Sequence, residues 1–421
     1  MTKEKYMKQL SPLVQTTLFS CALIMAVLLA GCRAYGDGSS SVKEEPLVTS
    51  NGVPFVAPKH YPAFSWDKVP VYMMFADGQR LLKDSEVQKI ASETDFICIE
   101  KNHGLQSLGD AVLGLEHENQ AFKQVKPGIK VLGYLNGALT YPFTRYTKML
   151  TEEKIEAHPE IKAYLMTDSK TGELAITRGL YGYNVLNPDM RAWWSDAAAD
   201  MVRVGNADGI FIDQMHGFAW LHPVEQNQAV IDGVGDMMAQ LKAKIGPDKI
   251  LLANNGAHIE PVFAVSDAFM FEHYKRSSTH TKEKLLNDWK LMEKIADAGK
   301  ICVYRFGAKP EGSLPLEAID EGQKRPRLTH DEYADLSKKQ LELYLALYLI
   351  GAQPYSYFQW NWNWTLKGGP LEHYPEFHQP LGQPLAKYTR VHPEGWEFTR
   401  EFEHASVWVD TDKWVANIEW K

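Results

Sequence analysis

From Val69 onward the chain repeats one alternation, a short run of consecutive apolar residues followed by a longer segment with helical period. The apolar runs are VPVYMMF, DFICI, KVLGYL, GIFI, KILLA, AFMF, KICVYRF and PYSYF, eight in all. They are short for helices and apolar at successive positions rather than at every second one, the pattern of strands covered on both faces in a parallel sheet. The clearest helix between them is NPDMRAWWSDAAADMVRVG, where Met190, Trp193, Trp194, Ala197, Ala198, Met201 and Val202 share a face. Asn187 suits its N-cap, Pro188 its first turn and Gly205 its end. A second, between Val224 and Ile245, aligns Val234, Met238, Leu241 and Ile245, and further helices are expected at 84–93, 115–125, 281–298 and 331–350. Between the fifth and sixth runs, GAHIEPVFAVSD leaves room for little more than two helical turns. Eight strand–helix units predict an α/β protein, a (β/α)8 TIM barrel. A doubly wound open sheet is the alternative, but G-x-G-x-x-G, G-x-x-x-x-G-K-[ST] and G-x-S-x-G are all absent.

Two stretches break the repeat. Residues 137–188 form a long insertion after the third strand, rich in Tyr, Thr and Gly, and long loops inside compact domains are often functional. The tail GWEFTREFEHASVWVDTDKWVANIEW alternates apolar and polar residues around DTDK and predicts a C-terminal β-hairpin extension. The expected organisation is a barrel over 66–380 and a C-terminal β segment over 381–421, preceded by the segments 1–31 and 32–65.

Those first segments carry an address. Three lysines precede the apolar LFSCALIMAVLLAG, which ends in LLAGC, similar to the lipobox of bacterial lipoproteins. The run is shorter than the ~20 residues a membrane span needs. Cleavage before Cys32 and lipidation of its thiol are expected, with 32–65 as anchor and linker, giving an exported lipoprotein of the outer membrane that faces the periplasm or the surface. Losing 1–31 removes three lysines and one glutamate, so the formal charge moves from −8 to −10. An acidic chain of this kind speaks against nucleic acid as a partner. Cys98 and Cys302 lie inside apolar runs and are expected as buried thiols.

The ends of the apolar runs carry the chemistry. In a parallel barrel, side chains alternate between the axis and the helix layer, and sites form at the carboxyl edge. If Ile210 and Ile212 face helices, Phe211 and Asp213 point inward and Asp213 stands at the mouth. Polar endings recur at Asp77, Glu100, Asn136, Asn254, Asn255, Glu272 and Arg305. Two acids across a barrel mouth suit glycoside hydrolysis, in which one protonates the leaving oxygen while the other attacks or stabilises the anomeric carbon. Asp213 and Glu272 are the expected pair, because each ends an uninterrupted apolar run that would desolvate it. For either acid, a structural ion pair with Arg305, Lys275 or Arg276 is the alternative.

Asp77 and Glu100 are reserve acids better suited to binding hydroxyls, and the amides of Asn136, Asn254 and Asn255 offer donor and acceptor together. Arg305 is also expected to hold sugar. In YFQWNWNW, Trp360, Trp362 and Trp364 could stack on sugar rings or plug the barrel. Tyr134, Tyr181, Tyr183 and His216 are further lining candidates. Asp213 and His216 lie three apart, with His103, His258 and His273 also near strand ends, but no His-x-His follows the first strand and H-E-x-x-H is absent. No metal or other cofactor is therefore expected.

Residues 184–213, NVLNPDMRAWWSDAAADMVRVGNADGIFID, combine Asn-Pro, a helix with Arg-x-Trp, and Asp-Gly followed by three apolar residues and Asp. This block resembles the barrels catalogued as hypothetical glycosyl hydrolases and, more distantly, the endo-α-1,4-polygalactosaminidase family, glycoside hydrolase family 114. KVLGYLNG before it, and LGQPLAKYTR and GWEFTREFEHASVWVD after it, are similar too, so the likeness covers roughly residues 66–421. The resemblance implies a TIM barrel acting on a polysaccharide, with the family's fourth-strand carboxylate at Asp213 and a later strand-end acid at Glu272. The 137–188 insertion has no counterpart in that pattern. The expectation is a lipoprotein glycosidase of polysaccharide or oligosaccharide, with Glu272 as acid/base and Asp213 as nucleophile or stabilising carboxylate, roles that could be exchanged. A non-catalytic glycan-binding lipoprotein and a metal-dependent barrel hydrolase are the alternatives.

Overall fold

The computed structural model describes residues 46–168, 171–177, 179–274, 281–310 and 328–421, with backbone only for His273 and Tyr274. The expected export signal and Cys32 lie outside the described residues. All eight apolar runs form strands: β1 (Met73–Phe75), β2 (Phe96–Ile99), β3 (Lys130–Asn136), β4 (Gly209–Asp213), β5 (Ile250–Asn254), β6 (Ala268–Tyr274), β7 (Ile301–Phe306) and β8 (Ser356–Trp360). They join in chain order into one parallel sheet. Val71 bridges Phe358 in parallel, and the Tyr72 N–H donates to the Phe358 carbonyl at 2.9 Å, which closes the sheet into a barrel.

Helices α1 (Asp84–Glu93), α2 (Ala111–Val125), α3 (Pro188–Val204), α4 (Asn227–Ile245), α5 (Glu260–Val265), α6 (Lys282–Asp297) and α7 (His330–Gly351) alternate with the strands. The Asn187 side chain caps α3, accepting from the Asp189 N–H at 2.8 Å, and Pro188 occupies the first turn where no donor is needed. The α5 step is a six-residue helix, as its short segment requires.

Strand parity divides the core. Ile210 and Ile212 pack with helix residues such as Trp194 and Met201, while Phe211 joins Met74, Cys98, Leu132, Tyr134, Leu252, Met270, Val303 and Tyr357 inside the barrel. Gly209 opens β4 because β5 passes so close that a Cβ there would lie 2.0 Å from the Ile250 carbonyl oxygen. Both expected thiols, Cys98 and Cys302, are buried and free. At the amino end of the barrel, Phe55 and Tyr61, from the stretch expected as linker, are buried, and Phe55 stacks on Tyr355 with centroids 4.7 Å apart.

The tail differs from the expected hairpin. Four antiparallel strands form there: β9 (Thr389–Arg390), β10 (Glu397–Glu401), β11 (Ala405–Asp410) and β12 (Val415–Trp420). The DTDK turn joins β11 to β12 as expected. A second turn, closed by the Phe402 N–H on the Ala405 carbonyl at 2.8 Å, separates β10 from β11 without any Gly, Pro or Asn to announce it. This sheet lies on α7. Buried Arg400 donates to the carbonyls of Leu349 and Ile350 at 3.0 Å each and of Ala352 at 2.5 Å, supplying partners to the helix end that would otherwise be buried without them.

Candidate active site

The carboxyl ends of β3 to β7 converge on one polar cluster. Asn136 stands beside Asp213 in the β3–β4 register, and Tyr134 beside Phe211, their rings stacked 5.8 Å apart. With Phe211 pointing inward, parity sends Asp213 inward as well, and four donors meet it. The Tyr134 hydroxyl donates to its Oδ2 at 2.5 Å and the Asn136 amide to the same oxygen at 3.2 Å. The Gln214 N–H and the Asn254 amide donate to Oδ1 at 2.8 and 2.9 Å. Two hydrogen bonds on each oxygen fix the plane of the carboxylate and stabilise its charge.

Asn254 also reaches the second acid: the same Nδ2 donates to Glu272 Oε2 at 2.5 Å. With bonds of 2.9 and 2.5 Å from one nitrogen, the two carboxylate oxygens lie no more than 5.4 Å apart. Both acids are partly exposed, at the mouth.

The backbone just beyond the strands is held in the left-handed region. Lys101, Gln214 and Asn255 have φ of 45°, 58° and 53°, one residue after Glu100, Asp213 and Asn254 respectively. Asn tolerates this conformation, but Lys and Gln do so at a cost of order 1 kcal/mol, and such residues cluster at functional sites. At Gln214 the turn aims the backbone N–H at Asp213; at Asn255 it lets Oδ1 accept the Glu272 N–H at 3.3 Å. Asn255 therefore positions Glu272 rather than facing the mouth.

Among the described residues two cations border the cluster; Lys275 and Arg276 lie outside them. Lys101 pairs with Glu100 and lies 5.1 Å from the Tyr134 ring centroid and 5.2 Å from that of Trp364. Burial lowers its pKa, with Asp213 and Glu272 acting in the opposite direction. Arg305 is buried, lies 4.4 Å from the same Trp364 centroid, and donates from Nε to Asn361 Oδ1 at 2.8 Å. Burial lowers its pKa to about 10, opposed by the charge of Glu272. Glu100 Oε2, Asn254 Oδ1 and both Gln359 amide atoms are buried with no hydrogen-bond partner among the described residues, the condition of groups that meet water or a polar ligand.

A family model, the hypothetical glycosyl hydrolase family 15, matches residues 123–406, which include both acids and most of the barrel. The chain belongs to this family. The search of curated proteins finds no match. Solved structures similar to this family member include the glycoside hydrolase domain of PelA from Pseudomonas aeruginosa, with 15% identity and a TM-score of 0.44 over 69% of this chain and 94% of that one. Another is Ega3 from Aspergillus fumigatus in complex with galactosamine, with 13% identity and a TM-score of 0.35 over 66% and 90%. A third is an alpha-amylase from Geobacillus thermoleovorans complexed with acarbose, with 11% identity and a TM-score of 0.45 over 82% and 87%.

In this glycosyl hydrolase family member the other residues singled out in the sequence have separate placements. Asp77 lies in the loop after β1, where its carboxylate pairs with Arg80 at 3.0 Å and its N–H donates to His103 Nδ1. His216 is exposed on the loop after β4; His258 lies in its electrostatic range, its pKa lowered by burial first and by His216 second. Trp360 is buried against Tyr344 of α7, at 5.4 Å, and Trp362 stacks on Tyr333 at 6.0 Å. Parity explains Trp360: Tyr357 points inward, so Gln359 does too, and Trp360 faces the helices beside Phe358. Tyr181 and Tyr183 belong to the 137–188 insertion, where Tyr183 is fully buried. The sequence reading missed Lys101, Gln359 and Asn361. Counting inward positions from Tyr357 would have found the last two.

Proposed function

We propose that this protein is a retaining glycosidase of a polysaccharide or oligosaccharide, with Asp213 as nucleophile and Glu272 as acid/base. The reading is carried by the Asn254 amide nitrogen, which holds one oxygen of each acid. Retaining enzymes keep their carboxyl groups ~5–5.5 Å apart, whereas inverting enzymes need ~6.5–9.5 Å to admit a water between acid and sugar. A ceiling of 5.4 Å between the bridged oxygens supports the first arrangement. Asp213 suits the nucleophile because its donors hold a fixed anion in the mouth. Glu272 then protonates the leaving oxygen and, after the glycosyl-enzyme ester forms, takes a proton from the incoming water. Glu100, Asn254 and Gln359 offer their remaining polar atoms to sugar hydroxyls, Asn136 and Tyr134 hold Asp213, and Trp364 with Arg305 and Lys101 walls the sugar. The test is the anomer first released, followed by NMR on a glycan that the enzyme cleaves. Retention is expected, and prompt appearance of the opposite anomer would overturn the assignment.

We also propose that Cys32 carries a diacylglycerol that tethers the barrel to the outer membrane, on the strength of LLAGC after the apolar run. Labelled palmitate should enter the wild-type protein and not Cys32→Ser, which should leave the membrane fraction. Equal labelling of both would refute the anchor.

A further inference from the structure

Among the described residues, one group of side chains outside the barrel mouth has the composition of a metal site. Glu93, His373 and His378 each present a ligand atom, and these atoms all lie within 4.8 Å of one another. His378 Nε2 is 3.0 Å from Glu93 Oε2, and the two imidazoles lie nearly parallel, 24° apart with centroids at 5.5 Å. We propose that these three residues bind a divalent transition-metal ion, zinc by its ligand chemistry.

Two imidazoles and a carboxylate suit zinc, with bonds of ~2.0–2.2 Å and a fourth position left for water. At those bond lengths ligand atoms sit ~3.3 Å apart, so small side-chain rotations close the site. The backbone carrying both histidines is already fixed. Tyr374 and Phe377 are buried between them; the Tyr374 hydroxyl is 2.8 Å from Ser337 Oγ, and Phe377 packs edge-on to Phe358. The third ligand is the last residue of α1. Because α1 leads down to the start of β2, the ion would sit at the end of the barrel opposite Asp213. Its work there is to staple the returning segment after β8 onto α1, so it stabilises the fold without entering the reaction.

The full chain, purified without a histidine tag and stripped with EDTA, is titrated with zinc chloride by calorimetry and melted with and without zinc. One ion per chain and a raised melting temperature are expected. The exposed pair His373→Gln and His378→Gln together, and Glu93→Gln alone, should weaken binding by roughly 100-fold or more and remove the thermal shift. His330→Gln, which alters the neighbouring contacts with Glu372 and the Trp362 ring and leaves the three ligands in place, should change neither. No binding by the wild type overturns the proposal. So does undiminished binding by the folded double variant, which would mean an adventitious ion on other histidines.

Discussion

Asp213→Asn and Glu272→Gln are each expected to lower kcat/KM by about 10³-fold or more, a loss of about 4 kcal/mol of transition-state stabilisation. The two losses differ in kind. At position 213 an amide cannot attack, and it also mispairs. Its NH2 must face either Gln214 and Asn254 or Tyr134 and Asn136, and both settings already supply N–H donors. Asp213→Ala removes that mispairing and opens space for a small anion, so azide should restore turnover and yield the glycosyl azide of opposite anomeric configuration. Glu272→Gln keeps the proposed nucleophile, so a substrate whose leaving group needs no protonation should be attacked nearly as fast as by wild type and then accumulate as the ester. Melting curves matching wild type establish that the variants fold. Wild-type hydrolysis by both would remove these acids from the mechanism.

Why the barrel was legible while parts of its mouth were not follows from what each feature depends on. Eight largely apolar runs encode strands buried on both faces, and the caps at Asn187 and Pro188 are local chemistry that survives folding unchanged. Asp213 was legible for the same reason: parity along GIFID sends the acid inward once the isoleucines meet helices. Trp360 was not, because the two polar residues of β8, Ser356 and Gln359, fall on opposite faces and only a partner's register tells those faces apart. Lys101 depends on a left-handed turn after Glu100, to which a lysine gives no local signal, unlike the glycine usually found there. The β10–β11 turn was missed for a similar reason, since its geometry comes from pairing rather than from a turn-forming residue. The bridge from Asn254 to both acids joins three strands and belongs to the tertiary structure alone.

That bridge makes the second large prediction. Asn254→Asp replaces a shared donor with a third carboxyl at hydrogen-bond distance from two others, and like charges so close cannot all ionise. At pH 7, kcat is expected to fall about 10²–10³-fold, the range for removing a preorganised donor. The introduced carboxyl should titrate above its unfolded value, ~3.9, because its neighbours are negative. A pKa raised on folding gives stability that is present below the unfolded value and lost as pH rises through the folded one, so the variant should approach wild-type stability only in acid. Activity follows the same sign, since the protonated form at 254 can donate to one of the acids, and the variant's pH–rate profile should tilt toward low pH. Asn254→Ala separates charge from hydrogen bonding: it removes the donor without adding an acid and should lose activity without that tilt. Identical profiles for the two variants would show that the Asn254 amide holds the acids by packing alone, and that the shared donor is not what keeps two carboxylates side by side.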